Sequence, residues 1–115
     1  MNEKDMNLSL ISTFPELREE FEEYVTWQDG IETGAFLTYE DLFLPKIVKA
    51  IENNDVNYLK RVAIFLERHL TQCGEYSSNV IVVGILEGLK AKCNHNKVRS
   101  FLLDESIKQF NELTF

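Results

Sequence analysis

The sequence predicts an all-α fold: five to seven short antiparallel helices packed around one buried central helix, residues 75–93. Three observations lead there. The stretch Asn79–Leu89 is the most apolar in the chain, with nine of its eleven residues lacking a polar side chain. The other segments are amphipathic at helical spacing, so they are expected to pack around it. No second strand candidate exists to pair with Val80–Ile85. That run is β-branched enough for a buried strand, but a lone strand leaves its backbone groups unpaired. Leu86, Leu89 and Cys93 extend the run at helical spacing, which favours helix over strand. Gly84 and Gly88 lie four apart on one face. Each costs about 1 kcal/mol relative to alanine in a helix, so they are expected to admit a neighbouring helix at close range.

Residues 4–12 carry Met6, Leu8, Leu10 and Ile11 and suggest a short first helix. Thr13-Phe14-Pro15-Glu16 reads as a helix start, with capping-box spacing and proline in the first turn. Leu17, Phe21, Tyr24 and Val25 form its apolar stripe, and the helix is expected to end before Gly30. Residues 29–37 read as a loop that either tucks onto the core or meets a partner. Thr38-Tyr39-Glu40-Asp41 offers the next cap. Phe43, Leu44, Ile47, Val48 and Ile51 then make a stripe that Pro45 interrupts, so this helix either kinks or begins at the proline. Asn53-Asn54-Asp55 closes it and caps a helix over 56–72, whose stripe is Leu59, Val62, Ala63, Leu66 and Leu70. A short connection leads to the central helix. After the break at Asn94-His95-Asn96 come one or two turns over 97–102. A last helix starts at Asp104-Glu105, with Ile107, Phe110 and Leu113 inward.

With 115 residues, 44% of them hydrophobic, the chain is expected to form a single helical domain over 1–115. No apolar run is long enough for a membrane span, and Met1-Asn2-Glu3-Lys4-Asp5 lacks the features of a signal peptide. A cytoplasmic location, with Cys73 and Cys93 reduced, is the expectation. Charge is uneven. Residues 1–55 hold thirteen Asp/Glu and four Lys/Arg, net −9, and residues 56–115 hold six and eight, net +2. Such a field disfavours nucleic acid. It either steers a basic protein partner or only keeps a small protein soluble.

Chemistry-bearing constellations are sparse. Cys73, Cys93 and His95 match no zinc spacing and lack a fourth ligand, so no metal is expected. A helix hairpin puts the two cysteines roughly 25 Å apart by helical rise, too far for a disulfide. Glu67 and His69 do not share a helix face, and His69 reads as a helix-end cation. Glu87 interrupts the apolar run and, if it is buried, would need a partner such as Arg61, Arg68 or Lys90. A structural ion pair explains it better than catalysis, since no nucleophile or second acid accompanies it. No phosphate loop or Ser–His–Asp ordering is present. The expectation is a non-enzyme without cofactors; a small enzyme using Glu87 or Glu67 is the least favoured alternative.

Several stretches together resemble a family of small all-helical bacterial proteins, many of them immunity proteins or neighbours of polymorphic toxins. They are Phe14-Pro15-Glu16-Leu17, Glu52-Asn53-Asn54-Asp55 leading to Leu59-Lys60-Arg61, Phe65-Leu66-Glu67, and the run Asn79–Leu89. They cover most of residues 13–93, and the last twenty residues fall outside. The resemblance implies a protein that binds and neutralises a cognate toxin, frequently a nuclease with a basic face. It carries no contact residue over to this chain. A helical adaptor with a non-toxin partner is the alternative.

Charge and patterning point to two partner-binding patches. Glu16, Glu19, Glu22 and Glu23 lie opposite the Leu17–Phe21–Tyr24 stripe. Asp29, Glu32, Glu40 and Asp41 flank a loop whose Trp27, Ile31 and Phe36 are candidate apolar anchors, and this second patch is favoured because aromatic anchors carry most interface energy.

Overall fold

Seven helices account for most of the chain in a computed structural model that describes residues 1–26, 28 and 30–114. They are α1 (Glu3–Thr13), α2 (residues 15–25), α3 (residues 35–52), α4 (Val56–Thr71), α5 (residues 75–92), α6 (His95–Arg99) and α7 (Asp104–Glu112). A 3-10 turn at Gly30–Glu32 joins α2 to α3, and no strand occurs among the described residues. The expected all-α fold is therefore the observed one.

The central helix is α5, which packs against α3, α4 and α7. Val80, Ile81, Ile85, Leu86 and Leu89 are fully buried, whereas Val83 is half exposed. The helix is thus covered on most sides and open on one. Its glycines do admit a neighbour closely. A Cβ on Gly84 would meet the Tyr39 Cβ of α3 at 3.5 Å, and one on Gly88 would run into the Leu44 side chain.

Both helices widen where they meet. Val82–Leu86 in α5 and Tyr39–Phe43 in α3 are π turns packed on each other. This resolves the question posed by Pro45. The regular α-helical turns begin there, with the proline in the first turn of Leu44–Glu52, and the wide turn Tyr39–Phe43 leads into them without a gap. A proline lacks the donor that a regular turn would need, and at the start of a helix that donor would have no intrahelical partner anyway.

Two local expectations are corrected, and one left open is decided in part. The Thr13–Glu16 capping box does not form, because α1 runs through Thr13 and no side chain caps the Pro15–Leu17 turn. Arg61 of α4 engages both residues instead: Nη2 donates to the Thr13 carbonyl at 2.9 Å and Nη1 to Glu16 at 3.1 Å. Helix α3 begins at Ala35, one turn before Thr38, because Ala35, Thr38 and Tyr39 all face the interior. Of the loop expected to tuck onto the core or meet a partner, the 30–33 turn is tied to α1. Asn7, fully buried in α1, donates from Nδ2 to the carbonyls of Ile31 at 2.9 Å and Thr33 at 2.7 Å.

The α3–α4 junction follows the sequence reading. Asn54 takes a left-handed conformation, φ 54°, which asparagine tolerates better than most residues, and Asp55 accepts from the Tyr58 amide at 3.1 Å. One core runs through Phe14, Tyr39, Phe43, Phe65, Leu66 and Phe110, while Ile11, Phe21 and Val25 form a smaller cluster under α2.

Candidate functional site

Helix α2 rests on that smaller cluster through Phe21, Val25 and Tyr24, against Ile11 of α1, Ile31 of the 3-10 turn and Leu42 of α3. Its opposite side, with Glu19, Glu22 and Glu23, is exposed. The Tyr24 hydroxyl donates to Asp41 at 2.7 Å, so the acidic end of α2 and the π turn of α3 form one continuous surface with exposed Glu40 and Asp41. Burial, then the Asp41 carboxylate, raises the Tyr24 pKa above its ordinary value.

Twelve of the thirteen acidic residues in 1–55 lie among the described residues, and all twelve are exposed. Trp27 and Asp29 lie outside the described residues. Two ion pairs occur among the described residues: Glu16–Arg61 at 3.1 Å and Glu20–Lys46 at 2.8 Å. Most of the negative field is therefore left facing outward.

The two patches of the sequence reading are redistributed by the fold. Glu16 is tied to Arg61, while Glu19 and Glu23 remain free of ion pairs among the described residues. Asp41 and Glu40 join the α2 patch, whereas Glu32 shares a hollow with Asn2, Glu3 and Lys4 at the start of α1. Ile31 is half-buried beneath α2. Phe36 lies in the first turn of α3, half-buried with its ring edge-on to Tyr76 at 5.6 Å. Both anchors are thus partly used by the fold. The residue that projects is Leu37, 51% exposed, three and four positions before Glu40 and Asp41 and so on their face. The loop reading of 29–37 hid it; starting the helix at Ala35 reveals it.

Beside this surface, Glu16, Glu20, Lys46, Lys49 and Tyr58 line a hollow of about 290 Å³ between α2, α3 and α4. The Tyr58 hydroxyl is buried there without a hydrogen-bond partner, and burial followed by the Glu16 carboxylate pushes its pKa up to about 12.

The catalytic alternatives look different in three dimensions. Glu67 accepts from the Glu105 amide at 3.0 Å, the Ser106 amide at 2.9 Å and the Ser106 hydroxyl at 2.8 Å, so its carboxylate caps α7. Glu87 is partly exposed and forms no ion pair among the described residues, contrary to the buried pair considered for it. His69 is not a helix-end cation. It is buried, stacked on Phe65 at 4.0 Å, and its pKa is lowered chiefly by desolvation. Its Nδ1 donates to the Phe65 carbonyl at 2.9 Å, which leaves neutral Nε2 to accept from the Ser9 hydroxyl at 2.6 Å. Sequence spacing could not reveal this pair, sixty residues apart. It has the spacing of a nucleophile and base, but neither residue lines the hollows beside α2, on either side of α4 or at the start of α1.

Cys73 and Cys93 are free thiols. No group of three or more His, Cys, Asp or Glu among the described residues is placed to hold a metal. No helix among them is long and apolar enough to cross a membrane.

Fold and surface together define a small all-α module with an acidic outer face. The chain belongs to the family described as "Domain of unknown function (DUF7674)", whose match spans residues 8–115. No curated protein and no solved structure matches it.

Proposed function

We propose that the chain is an immunity-type protein that binds and neutralises a cognate bacterial toxin with a basic surface, acting one-to-one in the cytoplasm. The observation that carries this reading is the unneutralised acidic face: exposed Glu19, Glu22, Glu23, Glu40 and Asp41, joined through the Tyr24–Asp41 hydrogen bond, with Leu37 projecting among them. Charges of this kind steer a basic partner and set its orientation, and an exposed leucine supplies apolar contact within the charged rim. The α2 cluster and the Asn7 bonds hold the surface in shape before binding, which lowers the ordering cost of association.

The test is capture from the host with the tagged chain, identification of the retained protein, and assay of that protein's activity with and without stoichiometric chain. A basic toxin silenced at one equivalent supports the reading. A retained partner with no toxic activity replaces it with the adaptor alternative.

A further inference from the structure

A second surface, opposite in character to the acidic face, lies on α4. Val56, Lys60, Ile64 and Arg68 follow one another at four-residue steps and share one side of the helix. With Phe101 and Leu103, the first three line a groove of about 360 Å³ between α4 and the segment joining α6 to α7. Its apolar members are unusually open: Ile64 is 63% exposed, Val56 58% and Leu103 41%. At Ile64 the groove continues into a second hollow of about 200 Å³ that Arg61 and Arg68 border.

No Asp or Glu lines either hollow, in a chain of net charge −7. Arg61 is engaged by Glu16 and the Thr13 carbonyl. Lys60 and Arg68 form no side-chain ion pair among the described residues. Two free cations therefore stand about 12 Å apart along the helix, with an exposed isoleucine between them.

We propose that this groove docks an acidic amphipathic helix of a partner protein. Carboxylates two turns apart on that helix meet Lys60 and Arg68, and an apolar side chain between them seats on Ile64 beside Phe101 and Leu103. Helix-in-groove recognition uses this combination of a stripe and flanking charges. A second copy docked face to face would set the two cations of one copy against those of the other, since a two-fold interface pairs each patch with itself. The proposal stands apart from the toxin-binding reading, because it uses another helix and the opposite charge.

The test uses the full chain and two labelled helical peptides of roughly 14 residues, about 21 Å long. Both carry a leucine stripe, flanked by glutamates in one and by lysines in the other. By fluorescence anisotropy the glutamate peptide is expected to bind about tenfold more tightly or better, a difference of about 1.4 kcal/mol, and to weaken as salt rises. Lys60→Glu with Arg68→Glu reverses the preference. Ile64→Ser weakens the glutamate peptide without changing the thermal melt, and Glu19→Lys with Glu23→Lys leaves it unchanged. The proposal is overturned if the two peptides bind alike, if neither binds, or if the double reversal changes nothing. It is also overturned if Ile64→Ser abolishes a self-association seen by sedimentation velocity, or binding to phosphatidylserine-containing vesicles. The first of those would identify a second copy as the occupant, the second a membrane surface.

Discussion

Glu67 on α4 and Lys90 on α5 hold opposite ends of α7. The carboxylate accepts from the amides of Glu105 and Ser106 at 3.0 and 2.9 Å, and the ammonium donates to the carbonyls of Phe110 and Leu113 at 2.8 and 2.7 Å. An anion at the start of a helix and a cation at its end match the helix dipole and satisfy groups the helix itself leaves unpaired. Leu103, at the N-cap, supplies no side-chain bond of its own.

Removing either latch should loosen α7 specifically. Glu67→Ala strands three donors and is expected to cost about 1.5–3 kcal/mol, the range for a bond to a charged group. Glu67→Gln keeps an acceptor for Ser106 and should cost less. Urea unfolding gives the totals, and hydrogen exchange should show protection lost first in residues 104–112. Protection lost evenly over the whole chain would show that α7 is not a separately latched element.

The two glycines of α5 should respond oppositely to alanine. At Gly84 the added Cβ meets Tyr39 at an ordinary 3.5 Å, so Gly84→Ala should be neutral or stabilising by up to about 1 kcal/mol from helix propensity. At Gly88 it runs into Leu44, which is 1% exposed and has little room to move. Gly88→Ala should therefore destabilise by about 1–3 kcal/mol, and adding Leu44→Ala should recover part of that Gly88 penalty in a double-mutant cycle. Thermal melts of the wild type, the two glycine variants, Leu44→Ala and the double variant decide it.

Much of this architecture was readable from the chain. Stripes such as Leu59–Val62–Leu66 and Val80–Ile81–Ile85 define their helices, because burial of one face imposes a helical period on the residues themselves. Asp55 could be recognised as a cap because capping is local. What could not be read depends on groups distant in sequence. Arg61 takes over Glu16 and the Thr13 carbonyl and so dissolves a local capping box. Asn7 and Tyr39 are buried polar residues whose partners, the Ile31, Thr33 and Met6 carbonyls, are set by packing. The paired π turns arise where two helices meet, and neither sequence shows them alone. The surface was half legible: charge marked the acidic half, but the early start of α3 decided that Leu37 projects while Phe36 turns against Tyr76.

Acid should weaken the fold through His69. Desolvation, with a smaller contribution from the nearby Arg68 charge, lowers its pKa in the folded chain, while the Phe65 carbonyl opposes the shift. The unfolded chain therefore takes up the proton first as pH falls. The stability from keeping His69 neutral is complete above the unfolded pKa of about 6.5 and is lost as pH drops from there through the folded value. The slope from this one group is at most about 1.4 kcal/mol per pH unit. Urea unfolding at a series of pH values between neutral and mildly acidic should show the loss. His69→Leu should be less stable at neutral pH, where the Ser9 bond is gone, yet show a flatter pH dependence. An equal slope in both proteins would assign the acid sensitivity to carboxylates instead.

Core and surface substitutions should separate cleanly once a partner is in hand. Leu66 and Leu86 are fully buried, so alanine at either should cost about 2–5 kcal/mol of stability. Glu19, Glu23 and Glu40 are exposed and make no ion pair among the described residues, so reversing them should leave the melt nearly unchanged. Their effect is expected on association. Glu19→Lys with Glu23→Lys should slow the on-rate and flatten its dependence on salt, because rim charges act mainly through steering. Leu37→Ala should act on the off-rate, since apolar contact is made only after docking. Phe36→Ala serves as the contrast: its ring packs on Tyr76, so it should lower stability even without a partner. Glu32→Lys, at the far end beside Glu3, should matter less than the α2 pair. Surface plasmon resonance at two salt concentrations would resolve these rates. If the α2 reversals leave both rates at wild-type values in low salt, the acidic half only keeps the protein soluble, and the partner binds elsewhere.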